Sequence, residues 1–262
     1  MAVISNPALE RMRAGDTALG MIVRLCPTPE IALVARQTGH DFLFIDMQHG
    51  AMSMETVAAI SVAALGAGIA PVVRVRSSAD PDIARLLDAG AMGIVVPDVE
   101  SAADATRAVA AARFAPVGRR SVSSGYPALG FAPTPAAEAA SALNGATMLV
   151  CMIESRKGVD NLDEIAAIDG VDVLHFGCND FLYDIGRPGD FTGPEVASAT
   201  GRLIEACDRH GRFAGLGGDK DPDRQRAYIR RGFRFVTANS DLAYLTASAT
   251  SRVANLRDAT KT

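Results

Sequence analysis

Asp46, His49, Arg74, Glu154 and Asp180 are the residues of this 262-residue chain whose types and placement suit chemistry. Each stands at or just past the end of a short apolar run, in FLFIDMQHG, PVVRV, CMIE and LHFGCND. A neutral imidazole takes up a proton near neutral pH, and a carboxylate partner raises its basicity and fixes its tautomer. His49 is therefore the candidate general base, with Asp46 as a carboxylate able to support it. The guanidinium of Arg74 has the planar fork that holds a carboxylate or stabilises a developing oxyanion. Its structural alternative is an ion pair with the neighbouring carboxylates.

Glu154 and Asp180 end consecutive runs, and two close carboxylates raise each other's pKa unless a cation lies between them. Two oxygen ligands with open positions suit Mg²⁺ or Mn²⁺. The alternative is that each caps a helix, Glu154 before 155–157 and Asp180 before 181–185. Gly177-Cys178-Asn179-Asp180 leads into a short helix whose backbone N–H groups can receive a carboxylate. The Gly215-Leu216-Gly217-Gly218 run is either an anion contact or a plain turn. His175, inside its run, reads as a satisfied core or supporting histidine, and His40 and His210 as polar helix ends.

These residues need a scaffold that brings run ends together. Apolar runs at 19–24, 42–46, 72–75, 93–96, 148–153, 173–177, 213–216 and 235–238 read as strands. Segments of helical spacing at 29–37, 54–65, 81–87, 102–112, 157–167, 195–209, 222–230 and 241–256 alternate with them. Eight strand–helix pairs predict an α/β fold, a (β/α)₈ TIM barrel forming one domain over 1–262. A leading N-terminal helix, 7–13, caps its bottom. The continuous apolar runs fit parallel strands buried on both faces, and no GxGxxG follows the first run, against an open dinucleotide-binding sheet. In such a barrel the strand C-terminal ends share one rim, where the candidates converge. The longest irregular stretch, 113–146, holds GRRSVSSGYPALGF and reads as a functional loop.

With 48% hydrophobic and only 5% aromatic residues, the core must be mainly aliphatic. The 26 basic and 30 acidic residues give a net charge of −4, which argues against a nucleic-acid binder while leaving room for a local basic site. Cys26, Cys151, Cys178 and Cys207 lie far apart with no CxxC pair, which argues against zinc-ribbon and thioredoxin readings and leaves reduced thiols. The first residues lack an apolar leader run, and the longest apolar stretch, 57–70, is too short to span a bilayer. No membrane partner and a cytoplasmic location are expected.

In order and spacing the chain resembles the HpcH/HpaI aldolase family, the class II, metal-dependent pyruvate aldolases. The resemblance runs nearly end to end. It is carried by FLFIDMQHG at 42–50, PVVRV at 71–75, ARLLDAGAMGIVVPDVES at 84–101, MIESRKGVDNLDEI at 152–165 and VDVLHFGCNDFLYDIG at 171–186. It implies a (β/α)₈ barrel in a homo-oligomer, a hexamer, with an exchanged C-terminal helix. The implied reaction is reversible cleavage of a 4-hydroxy-2-oxo acid to pyruvate and an aldehyde, as in a 4-hydroxy-2-oxoheptanedioate aldolase. The implied cofactor is a divalent metal, Mg²⁺, Mn²⁺ or Co²⁺, and the partners are a small 2-oxo acid and an aldehyde.

Carried over by motif position, the resemblance makes Glu154 and Asp180 the metal ligands, His49 the base and Arg74 the residue stabilising the enolate. It gives Asp88 of LLDAG, by its own spacing a helix-end residue, the role of raising the basicity of His49. Asp46 would orient water or the histidine. Met152, Gly177, Cys178, Asn179 and Asp180 would bind substrate beside Arg74. Three positions depart from the family pattern: Gln48 where members commonly have Glu, Met152 where many have Gln, and Gly177-Cys178-Asn179-Asp180-Phe181 where Gly-Pro-x-Asp-Leu is usual. Met152, Cys178 and the Ser123–Tyr126 loop imply a less polar acceptor pocket. Among the lysines, Lys157 opens a helix, Lys220 lies in a loop and Lys261 is terminal, which disfavours a Schiff-base mechanism. Two rival readings stay open. An acyl-CoA lyase of the citrate-lyase β-chain type needs a basic groove, for which Arg113, Arg119 and Arg120 are the candidates. The other is a non-catalytic barrel that binds an oxo acid.

Overall fold

The computed structural model describes residues 5–258, and in it eight parallel strands close into a barrel in sequential order. The strands are β1 (Ala18–Val23), β2 (Phe42–Asp46), β3 (Ala70–Arg74), β4 (Gly93–Val96), β5 (Met148–Ile153), β6 (Val173–Gly177), β7 (Phe213–Gly217) and β8 (Phe233–Ser240). The helices begin with α1 (Pro7–Arg13), α2 (Glu30–Gln37), α3 (Met54–Ala67), α4 (Ile83–Asp88), α5 (Ala102–Ala112) and α6 (Ala136–Ala146). They continue with α7 (Arg156–Asp160), α8 (Leu162–Ala166), α9 (Cys178–Asp184), α10 (Pro194–His210), α11 (Pro222–Arg230) and α12 (Asp241–Asp258). Among the described residues, no helix is long and apolar enough to cross a membrane.

Alternation along each strand sorts the apolar residues into two cores. Leu43, Ile45, Val73, Ile94, Leu149, Cys151 and Leu174 join the helices in an outer layer. Phe42, Phe44, Val72, Val95, Val150, Met152, Val173 and Phe235 fill the barrel interior, where Ala8, Leu9 and Met12 of α1 complete the packing. Asn6 anchors that first helix. Its Oδ1 accepts from the Leu9 N–H at 3.2 Å, while Nδ2 donates to the Met92 and Ala146 carbonyls just ahead of β4 and β5. The leading helix therefore closes the end of the barrel opposite the strand C-termini.

Two expectations change. The segment 157–167 is not one helix: Asn161 breaks it, donating from Nδ2 to the Glu100 carbonyl at 2.7 Å, so α7 and α8 follow separately. The stretch 113–146 is less irregular than its composition suggests, holding a 3₁₀ turn at Pro127–Leu129 and all of α6. Arg113 ties it down, donating to the carbonyls of Asn144, Thr147 and Gly170 and pairing with Asp172.

Inside the barrel, Gly20 has a packing role. A Cβ there would lie 2.1 Å from the Phe42 ring, which stacks on Phe235 at a centroid distance of 4.2 Å. Gly20→Ala is expected to cost about 1–3 kcal/mol, the usual penalty for overpacking a filled core, read as a lower urea midpoint with an unchanged slope.

Candidate active site

The strand C-termini surround a cavity of about 230 Å³. Its wall is organised by Asp46, the last residue of β2, which is fully buried. Register sets Asp46 opposite Arg74 of β3, and Arg74 grips it with two hydrogen bonds, Nε to Oδ1 at 2.9 Å and Nη2 to Oδ2 at 2.6 Å. Arg24, just past β1, adds a third from Nε to Oδ2 at 2.6 Å. Oδ1 also accepts from the backbone N–H groups of Gln48 and His49 at 3.1 and 3.2 Å. Burial opposes the charge on Asp46, but the hydrogen bonds and charge of Arg74, with help from Arg24, outweigh it and hold the carboxyl below its ordinary range.

This geometry corrects the role given to Asp46. Its carboxylate is saturated by two guanidiniums and two backbone donors, so it locks Arg74 and the chain entering His49 and does not bond the imidazole. The His49 ring stands exposed at the cavity mouth. Arg74, with its side chain 5% exposed, keeps Nη1 free of Asp46 and turned toward Met152 Sδ, 3.8 Å away. Both readings of Arg74 are thus realised in one side chain: one edge makes a structural ion pair and the other lines the cavity.

Glu154 follows β5 and is buried against the cavity. Oε1 accepts from the Asp98 N–H at 2.9 Å. A Cβ at position 177 would lie 2.6 Å from Oε2, so only glycine fits there. Burial, aided by the charges of Asp98 and Asp180 and opposed by Arg74, pushes the Glu154 carboxyl up to about 7. The helix-cap alternative fails for Glu154, because Ser155 caps α7, accepting from the Gly158 N–H at 3.1 Å. Asp180 lies in the first turn of α9, exposed and lining the same cavity. Among the described residues no cluster of three His, Cys, Asp or Glu is poised around one point. The carboxylate pair is nonetheless a hard-oxygen donor set of the kind that leaves its remaining positions to substrate oxygens and water. A buried carboxylate whose negative form is disfavoured by its neighbours fits a cation.

Met152, Gly177, Asn179 and Asp180 line the cavity as expected. Cys178 does not: it packs in the outer core, where burial pushes its thiol up to about 12. Asp88 is also misplaced by sequence. It ends α4, which runs back from the rim, and its carboxylate pairs with Arg120 Nη2 at 2.6 Å. Arg120 in turn lies over the Phe114 ring at 4.5 Å, outside the cavity lining. Within one chain Asp88 is therefore a partner of Arg120 and not of His49. The Ser123–Tyr126 segment also lies outside the lining: the Tyr126 hydroxyl accepts from the Ser123 N–H at 2.7 Å.

Four polar lining residues were not among the sequence candidates: Arg24, Lys220, Thr237 and Ser240. Arg24 and Ser240 stand at the ends of β1 and β8, and Asp98 just after β4, so the strand-end rule applied to all eight strands would have named them. His175 is a core histidine as its place inside the run suggests, but it is not a satisfied one. It is fully buried and lines the cavity, yet neither ring nitrogen has a hydrogen-bond partner among the described residues. Burial, reinforced by the charge of Arg74, lowers its pKa to about 3, so it is neutral at ordinary pH. His40 and His210 serve locally, with Thr38 and Tyr244 and with Asp163 respectively.

A family model described as HpcH/HpaI aldolase/citrate lyase matches residues 21–247. The chain belongs to the HpcH/HpaI aldolase/citrate lyase family. Among curated HpcH/HpaI relatives, a 4-hydroxy-4-methyl-2-oxoglutarate aldolase of Hapsidospora irregularis is 37% identical over 83% of this chain and 82% of its own. A hydroxypyruvate/pyruvate aldolase of Rhizorhabdus wittichii is 35% identical over 93% and 95%. The solved HpcH/HpaI aldolase of Desulfitobacterium hafniense superposes with a TM-score of 0.90 at 28% identity, covering 95% of each chain.

Replacing Glu154 separates its charge from its shape. Metal-free Glu154→Gln is expected to melt a few degrees above the wild type near pH ~8, because a neutral amide avoids burying a charge. Added Mn²⁺ should raise the melting temperature of the wild type and leave that of the variant unmoved, measured by thermal shift.

Proposed function

We propose that the chain is a pyruvate aldolase, a carbon–carbon lyase that reversibly cleaves a 4-hydroxy-2-oxo acid to pyruvate and an aldehyde. The observation that carries this reading is one cavity with a locked guanidinium, Arg74, on one wall and the Glu154–Asp180 carboxylate pair on another. Glu154 and Asp180 would hold a divalent cation, Mg²⁺, Mn²⁺ or Co²⁺. When bound, such an ion supplies Lewis acidity toward the oxygens of the 2-oxo acid.

The chain's own groups divide the remaining work. His49, exposed at the mouth, takes the proton of the C4 hydroxyl as the C3–C4 bond breaks and the aldehyde leaves. The electron pair passes to C3, and Nη1 of Arg74 stabilises the negative charge that develops on the C2 oxygen. Because Asp46 already fixes that guanidinium, little reorganisation is needed as the charge appears. The protonated His49 then gives its proton to C3, which releases pyruvate. The segment Gly177–Asp180 holds the carboxylate end of the acid. Lys220, at the rim and paired with no carboxylate among the described residues, meets the acceptor end together with Arg24. The mouth is thus more polar than Met152 alone implied, and it suits a carbonyl acceptor bearing an acidic group; the 4-hydroxy-4-methyl-2-oxoglutarate named for the Hapsidospora relative, whose acceptor half is itself a 2-oxo acid, carries a carboxylate at that end.

Two other routes lose support. Arg113 and Arg120 are buried in ion pairs with Asp172 and Asp88, which leaves Arg119 as the one exposed arginine of the three that a CoA groove in the 113–126 segment would need. A Schiff-base route needs a buried lysine; Lys220 is exposed, Lys157 pairs with Glu100, and Lys261 lies outside the described residues. The same reading takes the protein as a homo-oligomer, a hexamer by resemblance. It is supported by α12, whose Leu242, Leu245, Val253 and Leu256 are exposed.

Deuterium exchange into the pyruvate methyl group tests the reaction directly. EDTA is expected to abolish exchange and Mn²⁺ to restore it. His49→Ala is expected to slow exchange by roughly 10²–10⁴-fold. Exchange that survives EDTA would remove the cation from the account, and undiminished exchange in His49→Ala would remove the base.

A further inference from the structure

A second buried carboxylate stands behind Asp46. Asp241 opens α12, directly after β8, and is the one buried residue of that helix among those described. Four backbone N–H groups converge on it. Leu25 and Cys26 donate to Oδ2 at 2.8 and 2.9 Å, Arg24 donates to both oxygens at 3.2 Å, and Leu242 donates to Oδ1 at 2.7 Å. Strand pairing brings these groups together: β8 runs parallel to β1 with Ser240 opposite Ile22, so Asp241 emerges beside the chain that leaves β1.

Neither helix capping nor core packing accounts for this arrangement. Ser240 already caps α12, its hydroxyl oxygen accepting from the Ala243 N–H at 3.2 Å. The turn that Asp241 holds adds little to the core, since Leu25 at its centre is 46% exposed. A buried carboxylate costs free energy unless donors answer it, and three successive N–H groups turned to one side form a concavity that suits an anion. The Cys26 thiol faces the same carboxylate: burial first, and then the charge and hydrogen bond of Asp241, push it up.

What the turn carries is Arg24. Its backbone N–H goes to Asp241, while its side-chain Nε reaches Asp46 Oδ2 at 2.6 Å and the side chain lines the cavity. Asp46 in turn holds Arg74 and the N–H groups of Gln48 and His49. Asp241 is outside the cavity lining, yet it fixes the backbone from which one of the two guanidiniums on Asp46 is hung.

We propose that Asp241 is a positioning residue for the reaction, acting through Arg24. By gathering the N–H groups of residues 24–26 it sets the Arg24 guanidinium against Asp46 and the cavity. The start of α12 and the catalytic rim thereby form one hydrogen-bonded unit. The effect on catalysis rests on the aldolase reading, whereas the coupling is a property of the fold. A guanidinium hung from a loosened turn meets Asp46 and the substrate off its mark, and a displacement of about 1 Å can cost roughly 10²-fold in rate.

Amide hydrogen exchange of the full chain, read by mass spectrometry, tests the coupling without substrate. In Asp241→Ala the amides of 24–26 are expected to exchange about tenfold faster or more. Those of Gln48 and His49, which Asp241 does not touch, are expected to quicken several-fold. In Arg24→Met the 48–49 amides quicken while those of 24–26 stay as in the wild type. Activity is compared as kcat/KM for deuterium exchange into pyruvate by the Mg²⁺-loaded enzyme. Asp241→Ala is expected to lose about tenfold or more, and Asp241→Asn, which keeps an acceptor oxygen, to recover part of that loss. Added to Arg24→Met, Asp241→Ala costs nothing further. Unchanged 48–49 amides in Asp241→Ala, or an equal loss from Asp241→Ala with and without Arg24, overturn the proposal. A wild type that exchanges no pyruvate overturns the aldolase reading, and the amides then decide the positioning alone. Should Asp241→Ala not fold, Asp241→Asn carries the same comparisons.

Discussion

The buried carboxylate of Asp46 is the constraint on which the rest of the site depends. It lies where β1, β2 and β3 end, and it binds Arg24, Arg74 and the backbone leading to His49 at once. Removing it would leave the buried Arg74 without its counter-charge, a situation that usually costs about 3–5 kcal/mol. Even the turn conforms to it: a Cβ at Gly50 would lie 2.1 Å from the Asp46 carbonyl oxygen. Stability and chemistry therefore converge on one residue that does not itself line the cavity.

Across the cavity the sign reverses. Glu154 is buried near the charges of Asp98 and Asp180, which together with desolvation favour its protonated form. The two walls have different needs. The Asp46 side is internally neutralised and rigid, whereas the Glu154 side calls for positive charge from outside the chain. A net charge of −4 describes neither wall, because what an anionic substrate meets is the local pairing of charges and not their sum.

The barrel was legible because its interior strands are continuous apolar runs with sharp polar ends. For β2, β4, β5 and β6 the composition marks both boundaries, since a buried parallel strand cannot accept a charge until it reaches the rim. The 157–167 helix was harder. Its break rests on a bond from Asn161 to Glu100 across 61 residues, which no local pattern shows. The same limit applies in the site. Strand ends revealed Asp46, Arg74, Glu154 and Asp180, but not that Asp46 and Arg74 are partners across 28 residues. Asp88 lay in a segment carrying the family pattern, yet its partner Arg120 came from a stretch that composition presented as a loop. His175 was visible as a residue, while its missing partners could be seen only once Gly215, Gly217, Phe44 and Phe235 surrounded it.

The central claim is that Asp46 acts through Arg74, and a double-mutant cycle on retro-aldol kcat/KM tests it most directly. Asp46→Asn, Arg74→Lys and the double variant are compared with the wild type. If the carboxylate works by holding the guanidinium, the double variant loses no more activity than Arg74→Lys alone, and the two losses are strongly non-additive. If the losses add, Asp46 and Arg74 act independently, and the account of the site built on their pairing is wrong.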